Sequence, residues 1–264
     1  MSAETFLAYW MCNVQGGPLP QAAPASVDIV SLAFAVTAPV NGQDSLTLDY
    51  LEKYHSLADI KAGAKALQAR GTKVTMSING NPNWPGHPGG WTNLNANEFA
   101  QNVAQIVVGD WGLDGVDLDN EASETPDDNF VEVVLALRQV LGPDALLTLP
   151  VYLGPERDAY LSQVQDQISF VSTMAYGLSY QGQIDLYQQY APLVGDQKVA
   201  IGVSNASGPQ SSPYSEVGPL AAWDPPGSNK AGMMYWNLNS PPQSETDLWC
   251  ATIAQNLPKA VSVG

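Results

Sequence analysis

The segment Asp110-Trp-Gly-Leu-Asp-Gly-Val-Asp-Leu-Asp-Asn-Glu121 carries the reading of the whole chain. Strand side chains alternate between faces, so Asp117, Asp119 and Glu121 are predicted to project to one side and Val116 and Leu118 to the other. An apolar back and an acidic front suit a strand of a parallel barrel. The apolar set packs against outer helices, and the acidic set faces the interior near the C-terminal mouth, where barrel enzymes keep their sites.

The surrounding sequence repeats one rhythm. Short apolar runs occur at Phe6–Met11, Val27–Val36, Lys73–Ile78, Gly115–Leu118, Ala145–Val151, Ile168–Ala175, Lys198–Ser204 and Gly232–Leu238. They are too short for helices and mostly not alternating, as expected of parallel strands covered on both faces. Eight runs in 264 residues leave 33 per unit, enough for one strand and one crossover helix. Between them lie helical patterns. Ser56 opens one that runs through Ile60, Ala64 and Leu67 to Gly71. Thr125 is positioned to cap Pro126, with Asp127 and Asp128 in the first turn and Gly142-Pro143 as the stop. Asn97–Val108 and Gln243–Asn256 read the same way. The pattern predicts an α/β protein, a (β/α)8 TIM barrel forming a single domain over residues 1–264. A doubly wound open sheet is the alternative, but Gly16-Gly17-Pro18 does not supply its dinucleotide loop.

Composition removes several function classes. With 26 acidic and 10 basic side chains the net charge is −16, and with no Lys/Arg-rich run no nucleic-acid partner is expected. No apolar stretch approaches the ~18 residues of a membrane span, so no membrane partner is expected. Met1 to Trp10 shows no signal peptide. Two cysteines, Cys12 and Cys250, cannot build a disulfide framework, and free buried thiols are the favoured reading over a single bridge. No spacing of metal ligands occurs, so neither a metal nor another cofactor is expected. A monomer is expected.

Three carboxylates on one buried face are costly, and no Lys or Arg lies between Val74 and Leu137 to relieve them. Crowding and desolvation should raise at least one pKa. A protonated acid beside an ionised carboxylate is the equipment of glycosidic bond cleavage. Competing readings are a solvated acidic surface, which suits Glu124, Asp127 and Asp128, and a Ca²⁺ site, for which the EF-hand spacing is missing.

Asp114-Gly-Val-Asp117-Leu-Asp119-Asn-Glu121 resembles the DGxDxDxE signature of family 18 glycoside hydrolases, the chitinases and endo-β-N-acetylglucosaminidases. The resemblance extends along the chain. Phe6–Trp10 and Val27–Ala35 resemble the first two strands, Ser77-Ile-Asn-Gly80 the third-strand SxGG, Met174-Ala-Tyr176 the sixth-strand MxY, and Gly232–Trp236 the last strand with its tryptophan. Two positions depart from the pattern: Asn79 replaces the first glycine of SxGG, and Gly177 follows Tyr176 where many chitinases have Asp or Asn.

The resemblance implies retaining, substrate-assisted hydrolysis. Glu121 would be the general acid, Asp119 would hold the acetamido N–H of the sugar, Asp117 would share a proton or hydrogen bond with Asp119, and Tyr176 would donate to the acetamido carbonyl. Trp236 would floor the sugar site and Tyr9 would line it. Trp84 and Trp91, in the Gly/Pro loop after the third strand, would stack on further sugars or shield the rim. Met174 is the remaining lining candidate, with core packing as its competing role. The implied partners are chitin or N-acetylglucosamine oligosaccharides. A chitinase is the leading expectation, with an endo-β-N-acetylglucosaminidase of N-glycans and a non-catalytic carbohydrate-binding barrel as alternatives. Such substrates lie mostly outside cells, so an extracellular location is expected despite the lack of a visible signal peptide.

Overall fold

The computed structural model describes residues 4–81, 90–120, 128–152, 154–240 and 242–258. Eight parallel strands close into a barrel: β1 (Thr5–Met11), β2 (Ile29–Val40), β4 (Lys73–Asn79), β5 (Gly115–Asp119), β6 (Leu146–Val151), β7 (Phe170–Thr173), β8 (Val199–Ser204) and β9 (Gly232–Trp236). Closure comes from β1, which pairs with β9 through Thr5 and Gly232 on one side and with β2 through Leu7 and Ile29 on the other. The helices outside are α1 (Leu57–Ala69), α2 (Ala96–Ala104), α3 (Asp128–Leu141), α4 (Leu161–Val164), α5 (Tyr180–Val194), α6 (Tyr214–Ala222) and α7 (Gln243–Asn256). None of the helices is long and apolar enough to cross a membrane among the described residues.

Local chemistry sets the helix starts. The Ser56 hydroxyl accepts the Asp59 amide at 3.1 Å, and Asn95 accepts that of Glu98 at 3.1 Å, each satisfying an orphan N–H of a first turn. The pattern read as Asn97–Val108 is α2 followed by a π-helical turn over Gln105–Asp110. The capping segment expected at Thr125–Asp127 lies outside the described residues.

Two departures from regular strand–helix alternation modify the expected architecture. The β1–β2 crossover has only a three-residue 3-10 turn, Pro20–Ala22, in place of a helix. Next, β2 runs on to Val40 and turns back as β3 (Gln43–Thr47), which pairs antiparallel on β2. Asn41 and Gly42 make that reversal, with φ of 53° and 79°, as a two-residue hairpin of this twist requires.

Alternation along each strand separates two cores. Phe6, Ala8, Trp10, Val74, Met76, Ile78, Val116 and Leu118 pack outward among the helices. Inside the barrel, Leu7, Ile29, Phe170, Ala200 and Met234 form an apolar sector. The interior of β4, β5 and β6 is different: Thr75, Ser77, Asn79, Asp117, Asp119 and Thr148 are all buried there. Cys12 and Cys250 are free and buried, and burial pushes their thiols up to about 11 and about 12.

Candidate active site

Strand register brings the polar residues together. Parallel pairing sets Ser77 beside Asp117, Asn79 beside Asp119, and Asp117 beside Thr148. Neighbouring strands lie about 4.8 Å apart, which short polar side chains can bridge. The Ser77 hydroxyl donates to Asp117 Oδ2 at 2.6 Å, and Thr148 donates to Oδ1 at 2.6 Å. From across the barrel, the Tyr9 hydroxyl donates to Asp117 Oδ2 at 3.0 Å. Asn79 Nδ2 donates to Asp119 Oδ2 at 2.8 Å.

Asp117 is fully buried, and desolvation drives its pKa from the usual 3.8 to about 6, although the Ser77, Thr148 and Tyr9 donors pull it back. Burial also raises the Tyr9 hydroxyl well above its ordinary range, reinforced by the charges on Asp117 and Asp119, so it remains a donor at any working pH. A carboxyl whose pKa is raised by folding contributes most below its unfolded pKa, and that contribution is lost as pH rises through about 6. Asp117→Asn should therefore be more stable than the parent at pH 8, by up to roughly 3 kcal/mol. The difference should vanish near pH 4. Thermal unfolding at both pH values checks this, and equal melting temperatures at pH 8 would contradict it.

A cavity of about 380 Å³ opens at the C-terminal ends of the strands, within the ~300–1,000 Å³ common for ligand pockets. Tyr9, Asp119, Met174, Tyr176 and Trp236 line it. Asp119 is 2 % exposed and forms the acidic wall. Trp236 packs on Tyr9 at 5.4 Å and stacks on Phe34 at 5.9 Å, giving an aromatic flank. The Tyr176 hydroxyl meets the Met234 sulfur at 3.3 Å. A thioether is a weak acceptor, so exchanging it for a ligand carbonyl costs little.

Trp91 is not at the pocket. Its ring is 4 % exposed and packs against Phe99 at 6.1 Å and Phe130 at 5.1 Å. It also lies over Gly80, where a Cβ would come within 2.0 Å of the indole. This corrects the stacking expectation: a large aromatic next to two Phe side chains gains more by completing the outer core than by standing in solvent. Glu121 and Trp84 lie outside the described residues.

Sequence reasoning overlooked Phe34, Pro150, Tyr152 and Gln210, which also line the cavity. Gly177 explains the last. Its φ is +78°, and an added Cβ would sit 2.0 Å from the Pro209 carbonyl oxygen. The turn Gly208–Gln210 thus occupies the space that a side chain after Tyr176 would take, and Gln210 is presented to the pocket. Gly177→Asp should lower the melting temperature by about 2–8 °C from backbone strain alone. Displacement of the turn should also weaken ligand binding several-fold. Unchanged stability would show that the turn yields freely.

Residues 20–235 match the sequence profile of the endo-beta-N-acetylglucosaminidase EndoS TIM-barrel domain. The chain belongs to that family, within glycoside hydrolase family 18. Tyr9 lies eleven residues before the matched stretch and Trp236 one residue after it. Among curated relatives, the endo-beta-N-acetylglucosaminidase of Flavobacterium sp. (strain SK1022) is 36% identical over 95 residues, covering 36% of this chain and 30% of the relative. Endo-beta-N-acetylglucosaminidase F2 of Elizabethkingia meningoseptica is 25% identical over 186 residues, covering 69% of this chain and 51% of the relative. The chain therefore spans about half or less of the length of these curated relatives. A crystal structure described as a putative chitinase A from Streptomyces coelicolor superposes with a TM-score of 0.77 at 21% identity, covering 96% of this chain and 98% of that one. The chain thus shares the fold of that barrel over nearly its whole length.

Proposed function

We propose that this chain hydrolyses the β-1,4 bond of an N,N′-diacetylchitobiose unit by substrate-assisted catalysis with retention of configuration. The observation that carries the reading is Asp119: a nearly sealed carboxylate on the wall of an aromatic-flanked pocket, with buried Asp117 beside it and Tyr176 on the same cavity. In this mechanism Glu121 protonates the departing glycosidic oxygen. The acetamido oxygen of the sugar attacks the anomeric carbon, forming an oxazolinium ion. Asp119 accepts the acetamido N–H and balances the positive charge, while the Tyr176 hydroxyl orients the acetamido carbonyl. Glu121, now ionised, takes a proton from water as it opens the oxazolinium ring. Trp236, Tyr9 and Phe34 supply an apolar flank for the sugar.

The N-glycan core is the proposed substrate, because the matching profile and both sequence relatives carry endo-β-N-acetylglucosaminidase names. Chitin oligomers, placed first by the sequence reading, are the second substrate reading. Trp236 on the pocket flank favours them. Incubation with a high-mannose glycoprotein and with defined N-acetylglucosamine oligomers separates the two by products. Glycan release with the β-anomer formed first is the expected result. Release from neither substrate would overturn the proposal.

A further inference from the structure

Asn79 stands where the family 18 pattern has a glycine, a residue with no side-chain donor. We propose that Asn79 is a positioning residue that holds Asp119 as the charged member of the Asp117–Asp119 pair and directs the pair's proton to Asp117. This inference rests on the functional reading above.

Asn79 is fully buried and Asp119 nearly so. Asn79 Oδ1 accepts the backbone N–H of Asn81 at 2.8 Å. A backbone N–H can only donate, so this contact fixes which end of the amide is oxygen. Nδ2 therefore points at Asp119 Oδ2, 2.8 Å away. An amide nitrogen donates and never accepts, so Asp119 Oδ2 is held as an acceptor, and a donor of this kind binds the carboxylate more strongly than the neutral acid, favouring the charged form of Asp119. The partners of Asp117 are of another kind. Ser77, Thr148 and Tyr9 all reach it with hydroxyls, which can rotate to accept as well as donate. Asp117 can take up a proton with its network intact. The rise of its carboxyl to about 6 on burial agrees with this assignment. The groups described around Asp119 are Asp117 on its own strand, Asn79 on β4, Tyr9 on β1 and Tyr176 after β7. Among these described groups none is a cation, and the Asn79 dipole is a favourable interaction for a charged Asp119. A charged Asp119 is what an oxazolinium ion needs beside it.

Two variants and two readouts test the proposal on the full chain. Asn79→Gly restores the family residue, and Asn79→Asp keeps the shape while donating only when protonated. Carbon-13 NMR of labelled aspartates, assigned through Asp117→Asn and Asp119→Asn, follows each carboxyl without requiring turnover. The parent should take up its first proton at Asp117. In Asn79→Gly, Asp119 should take up a proton at clearly higher pH than in the parent. Its kcat should fall about tenfold or more, the loss of one charge-assisted hydrogen bond, with KM within about twofold. The acid limb of kcat should move up by about one pH unit. Asn79→Asp should approach parent activity only toward acid pH. Parent-like carboxyl titration in Asn79→Gly overturns the proposal, as does a parent-like pH profile in Asn79→Asp. If the parent cleaves neither glycan while its carboxyls titrate as stated, the functional reading falls and the proton assignment stands.

Discussion

Glu121→Gln is expected to lower turnover by roughly 10²–10⁴-fold, the usual contribution of a positioned general acid. Affinity for an unreactive oligosaccharide should stay within a few-fold, because the amide matches the carboxyl in size and still offers an oxygen and an N–H. The loss should depend on the leaving group. A 4-nitrophenyl glycoside expels a stabilised phenolate and needs little proton donation, so its ring-forming step should be much less affected than that of a natural glycan. The alkaline limb of the parent's pH profile, where Glu121 loses its proton, should disappear in the variant. Kinetics on both substrate types from pH 4 to 9 provide the check. A variant that cleaves natural glycan at the parental rate would remove Glu121 from the mechanism.

That Asp117 and Asp119 share a buried face was legible because strand alternation is local: it follows from five consecutive residues and needs no partner. The outward burial of Val116 and Leu118 has the same origin. Their hydrogen-bond partners were a different matter. Ser77 and Asn79 lie 40 residues before their carboxylates, and Thr148 lies 31 after Asp117. Only strand register sets them side by side, and no spacing within one segment encodes it. The β2–β3 hairpin did carry a local signal in Asn41-Gly42, hidden by the apolar run that precedes it. Phe34 lies within β2, Tyr152 just after β6 and Gln210 in the turn after β8, with no shared periodic pattern to reveal them as pocket residues. Trp91 shows the converse limit. A tryptophan in a Gly/Pro-rich segment looks available to ligands, yet the chain folds back to bury it over Gly80, a long-range outcome invisible from its neighbours.

Asp119→Asn separates charge from shape at the pocket wall. The substitution is isosteric at a site that is 2 % exposed and held by Asn79, so the fold should be retained. The amide has one oxygen where the carboxylate had two, so Asn79 Nδ2 and the acetamido N–H compete for it and substrate affinity should also weaken, by less than kcat falls. What is lost is the negative charge facing a cation that forms only as the acetamido group attacks. Interactions made in the transition state alone appear in kcat rather than in KM. In a site this sealed such a loss should reach roughly 10²–10³-fold in kcat, comparable with removal of one preorganised oxyanion-hole donor. Binding of a thiazoline analogue of the cationic intermediate should weaken far more than binding of the substrate. Adding Asp117→Asn should then cost much less than it does in the parent, because the proton partner of Asp117 is already gone and residues acting as a unit are not additive. An Asp119→Asn enzyme with full kcat, or a double variant whose losses simply multiply, would mean that the two carboxylates do not share the work of stabilising the sugar cation.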